Sequence, residues 1–318
     1  MLGILEGKEG MVKRIIPKKN CLLRDVVAFY LKSEDFLRLT ARSQKEYEAN
    51  LQAMLITVVE GRALGDYRSG NLRVRHLTQA YEYWLSSSGI RTANYRKAAL
   101  SVAWRHAMRY DIMQHDPVAL VKTQQTKPRK VKWKREHLRS FLSVAYSDFR
   151  WRSIGLIVHM AYDWGQRVGD MRVMTWDSLD LEACRLDLTQ SKRNADVHLP
   201  ISNNLCKMLR QQKEEFGFQK YVAPNVTPSD GAYKPYRLHQ VSNIINDILD
   251  KANLPRELTA MDLRRTAVTE MMEAGVDLVG IMQVTGHRNP NSVKPYMVNT
   301  FSGASKALAA RGNDTDDD

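Results

Sequence analysis

The sequence predicts a mainly α-helical protein with a small β-sheet, an α+β chain in two folded parts. Three observations carry this. Apolar side chains recur three and four residues apart through most of the chain, one pair of short alternating segments stands in its second half, and a strongly cationic aperiodic stretch divides it. A basic segment, 1–20, leads. Residues 21–121 read as a helical domain rich in Arg, Tyr and Trp, with Val26, Phe29 and Tyr30 and then Leu51, Met54 and Leu55 at helical spacing. Breaks between its helices are expected from Gly61 to Gly70 and at Ser86-Ser87-Ser88-Gly89. Residues 122–135 hold seven cations in fourteen positions without apolar periodicity; they read as an extended linker, suited equally to a phosphate backbone and to a solvated hinge. The second domain, 136–312, opens with helices over Glu136 to Ala145 and Trp151 to Trp164. Leu186-Asp187-Leu188 and Val197-His198-Leu199 read as strands joined through Lys192-Arg193-Asn194-Ala195, and helices resume from Asn203. Ala223 to Tyr236, with three prolines and Gly231, is a surface loop, and 313–318 is an acidic, solvated tail.

A chain of 318 residues can bury two cores. Its 48 Lys and Arg exceed its 35 Asp and Glu to give a net charge of +13, and the pI is near 9.6. Asp314, Asp316, Asp317 and Asp318 contribute four of those acids at the extreme C-terminus, so the folded body is more basic than the total. This balance favours a polyanionic partner bound in a salt-dependent way, although charge alone does not exclude an ordinary basic surface. Cys21, Cys184 and Cys206 form no close pair in sequence and have no His at metal-ligand spacing, which suits reduced structural thiols of a cytoplasmic protein. The apolar run from Ile154 to Ala161 is interrupted by His159 and closed by Asp163, short of the roughly 20 residues that span a bilayer. Glu6, Lys8 and Glu9 break any leading apolar stretch, so neither a secretory signal nor a membrane partner is expected.

The chemistry concentrates in five short elements. They are Gly165-Gln166-Arg167-Val168-Gly169-Asp170, the hairpin Lys192, Met261-Asp262-Leu263-Arg264-Arg265-Thr266, Gly286-His287 and, nine residues after that histidine, Tyr296. Taken singly each is ordinary: an arginine is usually a surface charge, one of thirteen tyrosines is usually an amphipathic packing residue, and a His after Gly often marks a helix end. As a set they suit metal-free attack on a phosphodiester. That reaction needs fixed donors for the equatorial oxygens of the transition state, a nucleophile, and an acid for the leaving oxygen. Guanidinium is permanently charged and can grip phosphate oxygens in a bidentate fork, which an ammonium cannot imitate. Loss of one such preorganised donor costs about 3–4 kcal/mol of barrier.

In their order and spacing these elements resemble the active-site signature of the tyrosine recombinases, the phage integrase family, over about 130 residues. A looser resemblance covers the chain from Leu22: a helical core-binding domain, a basic linker and a catalytic domain, which in that family form a clamp around DNA. The resemblance implies a site-specific DNA recombinase. Tyr296 would attack the scissile phosphate and become joined to a 3′ phosphate, Arg167 and Arg264 would hold the phosphate oxygens, and Lys192 would be the acid for the departing 5′ hydroxyl. His287 would donate a hydrogen bond to the phosphate and Asp170 would support the site. The phosphotyrosyl bond stores the energy for rejoining, so no metal, nucleotide or other cofactor is implied. The implied partners are double-stranded DNA with inverted-repeat core sites, a homotetramer on that DNA and DNA-bending accessory proteins. Ser302 to Arg311 has high helix propensity, and in the family such a helix docks on the neighbouring protomer; packing on its own domain is the alternative. Candidate DNA contacts are Lys127, Arg129, Lys130 and Lys132 in the linker, with Arg91, Asn94, Arg96 and Lys97 in the helical domain.

One position departs from the pattern. Where the family usually has His, three residues before the second arginine, this chain has Met261, whose thioether cannot donate a hydrogen bond or carry a proton. Three readings therefore stand: a phage-type integrase, which is preferred, a Xer-type resolvase, and a cleavage-impaired or non-catalytic DNA-binding regulator. The short lead before the helical domain leaves little room for a separate arm-binding domain, which favours a simple integrase or resolvase. The expected location is the cytoplasm, in a host cell's cytoplasm or nucleoid if the chain is phage-encoded.

Overall fold

The computed structural model describes residues 16–126, 129, 131–191, 195–294 and 301–310. Lys192 and Tyr296, the linker residues Lys127 and Lys130, most of the leading basic segment and the acidic tail lie outside the described residues. The chain divides into two compact units, Met1–Lys127 and Pro128–Asp318.

The first unit contains α1 (Leu23–Leu31), α2 (Glu34–Leu37), α3 (Ala41–Leu55), β1 (Val58–Val59), β2 (Arg62–Ala63) and α4 (Val74–Met108). Leu23, Val26, Val27 and Tyr30 line the inner face of α1 and pack with Leu51 and Met54 of α3 and with Trp84 and Trp104 of α4. Both indoles are buried with their N–H groups satisfied, Trp84 by the Thr57 hydroxyl at 2.9 Å and Trp104 by the His115 carbonyl at 2.7 Å. Two expectations are corrected. The unit is not all helical, because Glu60 (φ 49°) and Gly61 (φ 76°) form a tight turn that pairs Val58 with Ala63 and Val59 with Arg62. The serine cluster does not end a helix; α4 runs on, with only Gly89 leaving helical geometry at φ 78° and ψ 166°. Across that kink the Tyr81 hydroxyl donates to Asn94 Oδ1 at 2.6 Å, while Asn94 Nδ2 donates to the Gln124 carbonyl at 2.8 Å. Asn94, considered as a base reader, is thus engaged in fixing the kink. Arg91 is exposed, and Arg96 and Lys97 are half-buried.

The second unit contains α5 (Arg135–Ser147), α6 (Phe149–Asp163), α7 (Val168–Met171), β3 (Leu179–Asp180), β4 (Arg185–Thr189), β5 (Asp196–Pro200), α8 (Asn203–Phe216), α9 (Leu238–Lys251), α10 (Ala260–Glu273), α11 (Leu278–Thr285) and α12 (Phe301–Ala310). The apolar run noted in the sequence becomes α6, the central helix: Ile154 to Ala161 are buried, and α5, α8, α9 and α10 pack around it. Gly155 lets α5 approach, since a β-carbon there would lie 2.9 Å from the Ala145 methyl. The two expected strands are β4 and β5, antiparallel with Leu186 opposite Leu199 and Leu188 opposite Val197; β3 adds a third strand. Val197 and Leu199 alternate with exposed neighbours, as one buried face requires. Within this single chain α12 lies against α10.

The cationic stretch 122–135 is not wholly a free linker. Arg129 Nε shares its proton between both oxygens of the buried Asp262 carboxylate, at 2.9 and 3.0 Å, a pairing that holds its guanidinium above its ordinary pKa. Lys132 pairs with Glu273 at 3.0 Å. Trp133 is fully buried edge-on to Phe141, its backbone N–H donating to the Thr266 hydroxyl at 2.9 Å and its indole N–H to the Thr259 carbonyl at 3.0 Å. Arg129 and Lys132, expected as phosphate contacts, therefore meet carboxylates of their own unit. Their alternation with Trp133 around one buried indole was hidden among seven cations. Replacing this anchor, Trp133→Ala, should destabilise the second unit by about 3–5 kcal/mol in urea unfolding; a change below about 1 kcal/mol would show that the segment is not part of the core.

Candidate active site

Four pieces of chain meet: the turn after α6, the end of β4, one face of α10 and the end of α11. After α6 the chain reverses at Gly165, whose φ of +57° favours glycine and which leaves its carbonyl facing α10. Arg264, on the buried face of α10, is 6% exposed. Its Nη1 donates to the Gly165 carbonyl at 3.1 Å and its Nη2 to the Thr285 carbonyl at 2.7 Å, so two backbone groups from distant segments fix the plane of the guanidinium.

His287 follows the αL residue Gly286 that ends α11. Its ring is buried, with Nδ1 2.6 Å from the Thr285 hydroxyl and Nε2 3.1 Å from Arg264 Nη2. The Thr285 hydroxyl already donates its proton to the Ile281 carbonyl at 2.6 Å, so at Nδ1 it accepts. That assigns the proton to Nδ1 and makes Nε2 the face turned toward Arg264.

Arg167 caps the start of α7 and is about a quarter exposed. Its Nη1 donates to Gln190 Oε1 at 2.8 Å and lies 3.7 Å from the buried carboxylate of Asp170. Asp170 in turn accepts from the Ser191 hydroxyl and, at 3.4 Å, from the Ser191 backbone N–H. It therefore ties α7 to the chain leading into the hairpin, the supporting place the sequence suggested.

Sequence reasoning did not single out Gln166, Gln190 or Thr285. Gln166 and Gln190 are fully buried. Gln190 Nε2 donates to Gln166 Oε1 at 2.5 Å and to the Thr285 carbonyl at 2.8 Å, and Gln166 Nε2 donates to the carbonyls of Trp164 and Val284 at 2.9 and 2.6 Å. The available signal was position: each glutamine adjoins or nearly adjoins a motif cation in sequence, Gln166 before Arg167 and Gln190 two before Lys192. Gly286 is matched to this arrangement, since a β-carbon on it would lie 2.6 Å from Gln190 Nε2.

The structure thus brings Arg167, Asp170, Arg264 and His287 together. Met261, at the start of α10, is 82% exposed and takes no part in the buried network. Its motif neighbours have architectural work: Asp262 holds Arg129 and caps α10 through Thr259, Arg265 reaches the Arg129 carbonyl, and Thr266 receives Trp133. A depression of about 440 Å³ opens beside the cluster, lined by Ala195, Asp196, Met282, Gly286, His287 and Arg288. The larger cavity of about 950 Å³, between α5, α6 and the end of α10, contains none of the motif residues. Guanidiniums held in a fixed plane beside a buried imidazole are donors of the kind that suit an oxyanion.

Comparison with known proteins agrees. Residues 135–302, just over half the chain, match the model of the phage integrase family. The tyrosine recombinase XerC of Bacillus subtilis (strain 168) is 23% identical over 261 residues, 80% of this chain and 82% of that protein. XerC of Anoxybacillus flavithermus is 24% identical over 148 residues, 44% of this chain and about half (48%) of that protein's length. Among solved structures, a lambda integrase dimer bound to a COC′ core site superposes with a TM-score of 0.71 over 87% of this chain and 77% of that one, at 18% identity. The Tn1549 transposon integrase in complex with transposon right end DNA does so with 0.71 over 92% and 100%, at 16% identity. The motif order, the clustered arginines and the family match lead to one conclusion: the chain belongs to the phage integrase family, the tyrosine recombinases.

Proposed function

We propose that the chain is a site-specific DNA recombinase that cuts and rejoins DNA through a 3′-phosphotyrosyl intermediate, acting as a phage-type integrase. The observation that carries this is the unbroken chain of hydrogen bonds from Arg167 through Gln190 and the Thr285 carbonyl to Arg264, which His287 adjoins. Such a frame holds two guanidiniums at a fixed separation before substrate arrives, so little reorganisation is left for the transition state. Tyr296 is the nucleophile, Arg167 and Arg264 hold the phosphate oxygens, and Lys192 protonates the departing 5′ oxygen. His287, once it also carries a proton on Nε2, the nitrogen that here faces Arg264 Nη2, donates a hydrogen bond to a non-bridging oxygen. The ester energy stays in the phosphotyrosyl bond, so a second 5′ hydroxyl can reverse the step without ATP.

Its partner would be duplex DNA with inverted-repeat core sites, and the working assembly a homotetramer on that DNA, with DNA-bending proteins as accessory factors. Support comes from the +13 charge and from the lambda integrase tetramer bound to a Holliday junction, which superposes on 88% of this chain with a TM-score of 0.71. A Xer-type resolvase is the second reading, favoured by the XerC similarity across 80% of the chain. The exposed Met261 favours a third, a binding-competent relative with impaired cleavage.

The test is covalent trapping on denaturing gels, using a nicked suicide duplex that carries a site recovered by selection from a random duplex pool. Wild type should form the adduct and Tyr296→Phe should bind equally well and form none. Met261→His should form it about 10- to 100-fold faster, the value of one hydrogen bond to a charged group. An adduct from Met261→His alone would assign impaired cleavage to the natural chain, and no adduct from any of the three would assign a regulator.

A further inference from the structure

The structure points to Gln190 as a positioning residue of the cleavage reaction: we propose that its amide holds Arg167 in register with Arg264 and His287, and that cleavage depends on it through Arg167. This rests on the recombinase reading given above. Gln190 continues the ladder beyond β4, its backbone N–H donating to the Ala195 carbonyl at 2.9 Å, so the sheet fixes where its side chain starts. The side chain is fully buried and every polar group on it is engaged.

The orientation of the amide is dictated by its neighbours. Arg167 offers only donors, so Oε1 faces it; Gln166 Oε1 and the Thr285 carbonyl offer only acceptors, so Nε2 faces them. Turning the amide over would set donor against donor and acceptor against acceptor in a buried site. No other side chain of this length supplies one acceptor and two donors. The Thr285 carbonyl receives Gln190 Nε2 at 2.8 Å and Arg264 Nη2 at 2.7 Å, using both its lone pairs. One carbonyl oxygen and one amide therefore separate the two guanidiniums, and a shift of Gln190 moves Arg167 relative to Arg264. Gly286 fits the same design, since any β-carbon there would displace Nε2.

Two variants probe this. Gln190→Met keeps length and burial and removes all three hydrogen bonds. Gln190→Glu keeps an acceptor for Arg167 while placing an acceptor against Gln166 Oε1 and the Thr285 carbonyl. Single-turnover adduct formation is measured on the selected suicide duplex at saturating protein, together with duplex affinity and urea unfolding. Gln190→Met should slow adduct formation about 100-fold, the scale of a misplacement near 1 Å, with affinity changed less than about threefold. In an Arg167→Ala background it should add less than about threefold, because its effect passes through that arginine. Gln190→Glu should fall between wild type and Gln190→Met.

A substrate with sulfur at the 5′ bridging position, which leaves without needing a proton, separates the arginine from the leaving-group acid. Gln190→Met should stay slow on it. Recovery to the wild-type rate there would overturn the proposal and assign Gln190 to the hairpin of Lys192. A full additive loss in the Arg167→Ala background, or a wild-type rate for both Gln190 variants, would also overturn it. Wild type forming no adduct would instead defeat the recombinase reading, and the proposal with it.

Discussion

The fit of the Arg264 guanidinium between the Gly165 and Thr285 carbonyls is the contact on which the second unit's buried polar cluster depends. A buried guanidinium is costly unless its donors are satisfied in good geometry. Satisfying these requires that the turn after α6 and the end of α11 both reach the Arg264 guanidinium. Both turns pass through a residue in left-handed conformation, Gly165 at φ +57° and Gly286 at φ +67°. The turn after α6, α10 and the end of α11 are therefore tied together by one side chain, and the same carbonyl that anchors Arg264 also anchors Gln190, beyond β4, and through it Arg167. Fold and candidate site share these contacts, and a defect in packing at α10 would be felt in the placement of both arginines.

The motif around Arg264 divides its residues between chemistry and construction. On α10, Arg264 and the exposed Met261 belong to different faces from Asp262 and Thr266, which take up Arg129 and Trp133. This explains why a run of cations at the domain boundary is partly structural. It also explains how Met261 can differ from its family counterpart without disturbing the fold: its side chain makes no buried contact that a change would break.

Much of this was legible in the sequence, because periodicity is a local property. The apolar run that became α6, the β4–β5 pair and the start of α8 at Asn203 all followed from spacing. The order of Arg167, Asp170, Arg264 and His287 along the chain singles them out, and the structure gathers them in one place. What escaped depends on contacts between distant residues. Trp133 looked like one aromatic among cations until Thr259 and Thr266 received it. Gln166 and Gln190 are polar residues with no periodic or charge signature; position beside a motif cation was their one sequence signal, and their burial against the Val284 and Thr285 carbonyls gives it meaning. Cys184 and Cys206, 22 residues apart in sequence, have their sulfurs 3.2 Å apart as free thiols. The stretch from Gly61 to Gly70 reads in sequence as an inter-helix break, and the turn that opens it went unseen because a two-residue ribbon is too short to show alternation.

The central claim is that a guanidinium, held in one plane by two backbone carbonyls, organises the scissile phosphate. Single-turnover adduct formation by Arg264→Lys at saturating protein tests it most directly, because lysine keeps the charge and loses the planar fork. The account predicts a rate about 100- to 1000-fold below wild type in a protein that still binds the duplex; an Arg264→Lys rate equal to wild type would contradict it.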